Sequence, residues 1–149
     1  MNAVIIASII TFWSGLILFF AKEQLKVRAT NKAVLAEIQR LIAVIRRHEK
    51  WWRARIEAND TDHPLIPFSM PVYTSQLGTI GSLDSSIVAH VVEFFGYLSF
   101  VNDLQATRVR YMEKERSRDF DAMYLEALQR LLSSLPPQFE IFFLRYGIA

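Results

Sequence analysis

Residues 3–21 read AVIIASIITFWSGLILFFA, nineteen residues without a charged side chain. An α-helix rises about 1.5 Å per residue, so this stretch covers roughly 28 Å, close to the hydrocarbon thickness of a bilayer. The expectation is a retained transmembrane anchor. A cleaved secretory signal needs a basic leader and a small-x-small cleavage site. Here Met1 and Asn2 carry no side-chain charge, and a cut after Ala21 would leave the bulky Phe19 at −3. Lys22, Lys26, Arg28 and Lys32 follow the stretch, and no Lys or Arg precedes it. The positive-inside rule then predicts a single-pass membrane protein with its N-terminus outside and its C-terminal domain cytoplasmic.

Moving outward, residues 22–58 contain neither Pro nor Gly. They predict a long amphipathic helix that continues the span, about 84 Å in all if unbroken from Ala3 to Ala58. Val27, Val34, Ile38, Leu41, Ile45 and Trp52 alternate spacings of three and four, with Asn31 and His48 filling the gaps. That is an a/d seam of period 3.5, widened by Leu35, Ile42 and Ile56 as in a bundle helix. Within the span, Ala3, Ala7, Thr11 and Gly15 put small residues on one face, a spacing that lets membrane helices approach closely. Small-xxx-small crossings are right-handed and heptad crossings left-handed, so one continuous dimer does not suit both. Intramolecular use of the seam is therefore the favoured expectation.

Residues 59–82 break the helical pattern. Pro64, Pro67, Pro71, Gly78 and Gly81 predict an extended or polyproline connector. Its apolar content, including Leu65, Phe68, Met70 and Tyr73, predicts that it lies against the helices or a partner. Residues 83–149 return to helix. Ser82 or Asp84 can cap a start, and Ile87, Val91, Phe94, Phe95, Leu98, Val101 and Leu104 form an apolar face. Arg108, Arg110 and residues 113–118 read as a solvated end. Ser117 or Asp119 can start a further helix carrying Phe120, Tyr124, Leu128 and Leu131, which Pro136 and Pro137 stop. The tail QFEIFFLRYGIA reads as one or two docked helical turns. The fold class is all-α: an N-terminal transmembrane helix continuing into an antiparallel helical hairpin or small bundle.

Charge is uneven along the chain. Residues 22–57 hold ten Lys/Arg against four Asp/Glu, whereas 58–149 hold seven against eleven. A basic stretch beside a span attracts anionic lipid headgroups. Nucleic acid is an unlikely partner by motif, for no Gly-rich loop, zinc spacing or aromatic RNA-binding motif is present. The absence of cysteine excludes disulfides, thiolate catalysis and Cys-ligated zinc. His90 and Glu93 share a helix face without the further ligands a metal needs, the serines lack a GxSxG elbow, and Asp60, Asp62 and His63 read as a solvated helix end. No catalytic, cofactor or metal residue is expected, and the chain reads as a non-enzyme.

What remains is interaction chemistry: a helical scaffold with a protein partner or a second copy of itself. The candidate contact residues are Ala7, Thr11 and Gly15 in the span, Ile38, Trp51 and Trp52 on the long helix, Phe68 and Tyr73 in the connector, and Phe94 beyond it. Trp51 and Trp52 sit among Arg46, Arg47, Lys50, Arg53 and Arg55, a basic-aromatic patch; its structural reading puts one Trp inward and stacks arginine on the other. The alternative function is a membrane-active oligomer, holin-like or a small channel, which the lack of a polar stripe in the span disfavours. The connector PLIPFSMPVY followed by LGTIGSLDSSIVAHVVEFF resembles small uncharacterised bacterial single-pass membrane proteins with a cytoplasmic helical hairpin, over about residues 30–105. The resemblance implies the same plan and brings no activity and no catalytic residues.

Overall fold

With no proline or glycine to interrupt it after Gly15, the N-terminal third of the chain forms one helix, α1 (Asn2–Glu57), 56 residues long. At 1.5 Å per residue it measures about 84 Å. The computed structural model describes residues 2–60, 65–112 and 117–148, with side chains for 11–60, 65–81, 83–108 and 119–148. Asp62, His63, Pro64 and residues 113–116 therefore lie outside the described residues, as do the side chains of Ala3, Ala7, Ser82, Val109, Arg110, Ser117 and Arg118. The other elements are α2 (Pro71–Gln76), a 3-10 turn (Leu77–Ser82), α3 (Ser85–Met112), α4 (Ser117–Ser133) and α5 (Gln138–Tyr146). Among the described residues there is no strand, and the fold is all-α.

Local chemistry sets the ends. Asn59 adopts a left-handed φ of 53°. Its N–H donates to the Ile56 carbonyl and the Asp60 N–H to that of Arg55, the paired closure of a Schellman ending. α5 closes the same way on Gly147, with φ 61° and N–H donation from Gly147 to Leu144 and from Ile148 to Phe143. Asp84, one of the two expected caps, starts α3 by accepting from the Ser86 N–H and hydroxyl at 3.0 and 2.8 Å.

The second half of the connector corrects the sequence expectation. Pro71 does not forbid helix there; it begins one, occupying the first turn of α2 where its missing N–H is no loss. Gly78 and Gly81 likewise fall within the 3-10 turn. Residues 65–70 are non-helical, as the prolines predict.

Contacts give each pass its direction. Arg28 and Asn31 share a cavity with Asp84, while the Arg108 guanidinium lies 5.1 Å from the Trp52 ring centroid. α3 therefore runs parallel to α1, and the segment between them must come back along it. Phe68 meets His48 edge-on at 5.4 Å, and Val72 and Tyr73 then reach Glu37. α4 is antiparallel to α3, pairing Tyr124 with Gln105 and Asp121 with Arg108. α4 and α5 descend along α1, from Tyr124 at His48 to Tyr146 at Asn31. The result is a four-pass bundle in which the connector serves as the second pass. The antiparallel hairpin is α3 with α4; α1 and α3 are parallel.

The core joins Val34, Leu35, Ile38, Leu41, Ile42, Ile45 and Trp52 of α1 to Ile87, Val91, Phe94, Phe95, Leu98 and Val101 of α3. Phe120, Tyr124, Leu128 and Leu131 of α4 and Phe139 and Phe142 of α5 complete it. The seam read from the sequence is thus buried within its own chain at Asn31, Val34, Ile38, Leu41, Ile45 and Trp52; Val27 and His48 are half-buried. Among the described residues, Ser85–Arg108 is the stretch long and apolar enough to cross a membrane by length and composition. Its apolar face is a wall of this core.

Candidate functional site

The bundle covers α1 only from about Asn31. Between Thr11 and Asn31 the helix is largely uncovered: Phe12, Trp13, Ile17, Leu18, Phe19, Phe20 and Leu25 are all more than half exposed. Covering a large apolar side chain is worth about 1.5–3 kcal/mol, so these seven together represent on the order of 10 kcal/mol. That rivals the whole stability of a typical domain, about 5–15 kcal/mol. Lys22, Lys26, Arg28 and Lys32, all exposed, lie where the uncovered stretch meets the bundle.

The candidate contact residues divide sharply. Thr11 and Gly15 are exposed on the bare stretch, and a Cβ added at Gly15 would meet nothing within 4 Å. Ala7 lies outside the described side chains. Ile38, Trp52, Phe68 and Phe94 are buried in the core. They are used by the fold itself, because the descending connector and α4 close over the seam, and they offer no surface to a partner in this state. Tyr73 is half-buried and stacked on Phe95 at 3.9 Å. Trp51 stays exposed, with the Arg55 guanidinium 5.2 Å from its ring, while Trp52 points inward. The basic-aromatic patch divides as its structural reading expects.

Polar residues that sequence reasoning passed over hold the connector in place. Glu37, buried on α1, accepts from the N–H groups of Val72 and Tyr73 at 2.9 and 2.7 Å. It caps the short α2 from another element, and it does so where Pro71 has no N–H to satisfy. Asn102 on α3 accepts from the Phe68 N–H at 2.8 Å and donates to the Phe68 carbonyl at 3.0 Å, the two-point pairing that a neighbouring strand would give. Arg40 donates to the Ser69 carbonyl at 3.0 Å. A signal for these existed: Glu37 falls between Val34 and Leu41 on the seam, and Asn102 follows Leu98 by one turn. A polar residue on an apolar stripe marks a buried partner.

A second polar group sits farther up. His48 shares a hydrogen bond of 3.1 Å with the Tyr124 hydroxyl, to which Gln105 also donates. Burial lowers the His48 pKa and pushes the Tyr124 phenol up to about 12. Burial also pushes Glu49 up, but hydrogen bonds from Arg53 and Gln129 outweigh it and leave its carboxyl below the ordinary value. Arg108 is a correction: it is not in a solvated end but buried, 3.5 Å from Asp121 and over Trp52. Apolar stripes do not announce that a charge at their end will be covered by a later helix.

Among the described residues no group of three or more His, Asp or Glu is placed to bind a metal ion. An apolar groove of about 350 Å³ lies beside His48, lined by Leu41, Val44, Trp51, Ile66 and Phe68. A wider cavity of about 540 Å³ lies at the other end of the bundle, between α1 and the last turn of α5. No family model, curated protein or solved structure matches the chain.

Proposed function

We propose that this protein is a single-pass, membrane-anchored helical interaction or scaffold protein of the bacterial inner membrane, with its N-terminus outside and its bundle in the cytoplasm. The observation that carries the reading is the bare apolar stretch of α1, whose exposed Phe, Trp, Ile and Leu side chains find no cover in the bundle. A bilayer supplies that cover, and the exposed Lys22, Lys26, Arg28 and Lys32 suit the cytoplasmic interface. Because α1 is unbroken to Glu57, the bundle stands on the membrane as a rigid extension of its anchor.

For a protein partner, the reading turns to surfaces the fold leaves open. Trp51 and Ile66 flank the groove beside His48, about 45 Å along α1 from Ala21. Aromatic residues beside basic ones are favoured contact anchors.

The chain has no cysteine, so topology is directly testable. Asn2→Cys and Ala122→Cys each introduce one thiol. A membrane-impermeant maleimide is expected to label the first in spheroplasts and the second only after lysis. Equal labelling of both in spheroplasts, or release of the protein by alkaline carbonate, would overturn the anchored reading. Dye leakage from liposomes carrying the purified protein would favour the membrane-active oligomer instead.

A further inference from the structure

Two arginines from opposite ends of the chain meet at the anchor end of the bundle. Arg28 of α1 and Arg145 of α5 line the cavity of about 540 Å³ together with Asn31, Asp84 and Tyr146. Both arginines are exposed, and neither forms a salt bridge among the described residues. Asp84 is the carboxylate in this wall. The Ser86 backbone N–H and then its hydroxyl hold Asp84 below the usual carboxylate range, with the Arg145 charge contributing. Its Oδ1 is committed to capping α3, and the wall keeps one positive charge in excess. Tyr146 accepts from the Asn31 amide at 2.8 Å, which leaves the phenolic proton to donate.

The height of the cavity matters as much as its charge. Gln24 and Arg28, both in its wall, follow Ala21 by three and seven residues, about 5 and 10 Å along the helix. The headgroup layer extends about 5–8 Å beyond the hydrocarbon on each side. An arginine stem can reach back across the remaining distance. Guanidinium groups present paired N–H donors that match phosphate oxygens.

We infer that this cavity binds the phosphate of an anionic phospholipid headgroup, with Arg28 and Arg145 as its paired contacts and Tyr146 as a hydroxyl donor. The inference rests on the anchored reading for its choice of a lipid over a soluble phosphate. The bound lipid would tie the last turn of α5 to the foot of α1, fixing how the bundle sits on the bilayer.

The test uses the full-length protein in neutral maltoside micelles, where the bare helix stays covered. Short-chain phosphatidylglycerol, short-chain phosphatidylcholine and inorganic phosphate are each titrated and followed by calorimetry. Phosphatidylglycerol is expected to bind best. Arg28→Gln and Arg145→Gln should each weaken it about fivefold, the effect of one basic residue near an anionic surface. Asp84→Asn, which keeps a good cap, should tighten it by a similar factor. General structural damage would weaken all three variants, so the opposite sign at Asp84 separates binding from folding. Arg145→Lys, which keeps charge and stem, should retain more affinity than Arg145→Gln. Equal binding of phosphatidylcholine, phosphate binding as tight as the lipid, or wild-type affinity in the Arg28→Gln/Arg145→Gln pair would each overturn the inference. Carbonate extraction of the wild type from membranes tests the anchor separately: release there sinks the anchored reading whatever the titration shows.

Discussion

Glu37 and His48 show how single buried polar groups set behaviour in this bundle. Glu37 holds two N–H groups of α2 that have no other fixed partner at that helix start. Its removal strips a buried pair of charge-assisted hydrogen bonds, so Glu37→Ala should cost about 2–3 kcal/mol. Hydrogen exchange at Val72 and Tyr73 should accelerate more than at core amides of α3. His48 is held below its ordinary 6.5 by burial, so the unfolded chain takes up its proton first as pH falls. Its contribution to stability is full above about pH 6.5 and declines below it, toward the depressed folded value. Thermal midpoints measured from about pH 7.5 down to 5 should drop more for the wild type than for His48→Gln. Arg108 and Asp121 make the complementary case. Asp121→Ala leaves Arg108 buried beside Trp52 without this carboxylate and should cost about 3 kcal/mol. The double change Arg108→Met/Asp121→Leu should recover most of that in chemical denaturation.

At the scale of elements, the connector is the unusual part. Four-helix bundles normally return by helix, whereas here residues 65–84 return by an extended piece, a six-residue helix and a 3-10 turn. Such short helices are unstable alone, because nucleation costs more than a few hydrogen bonds recover. Glu37, Asn102 and Arg40 supply from neighbouring helices what the segment lacks internally. The helix endings are more self-sufficient. Gly147 holds φ 61°, where a Cβ is strained even though the space around it is open. Gly147→Ala should cost about 1 kcal/mol, read as a shift in denaturation midpoint, and loosen the last turn of α5 that carries Arg145 and Tyr146.

At the scale of the whole molecule, the bundle and the bare helix are separable. The hydrophobic core starts at Val34, and a Cβ added at Gly15 would meet nothing within 4 Å. Deleting residues 2–24 should therefore leave a water-soluble bundle with the same helical melting transition by circular dichroism. Gly15→Leu in the full chain should leave that transition unchanged within about 0.5 kcal/mol, as for other open positions. Helix existence was legible in advance wherever periodicity was strong, as in residues 27–56 and 87–104. The inward turn of Trp52 and the docking of the apolar tail through Phe139 and Phe142 followed the same logic. Local patterns say which face of a helix avoids water, since that depends only on spacing along one chain segment. They do not say which later segment covers that face. The direction of the connector, the capping of α2 by Glu37, the burial of Arg108 and the meeting of Arg28 with Arg145 all join residues from different segments of the chain. An uncharged nineteen-residue run and its basic flank were determined by the sequence alone, because hydropathy and charge are local sums. Where the bundle begins along that helix, and which basic groups stand together at its foot, was decided only when four passes packed against one another.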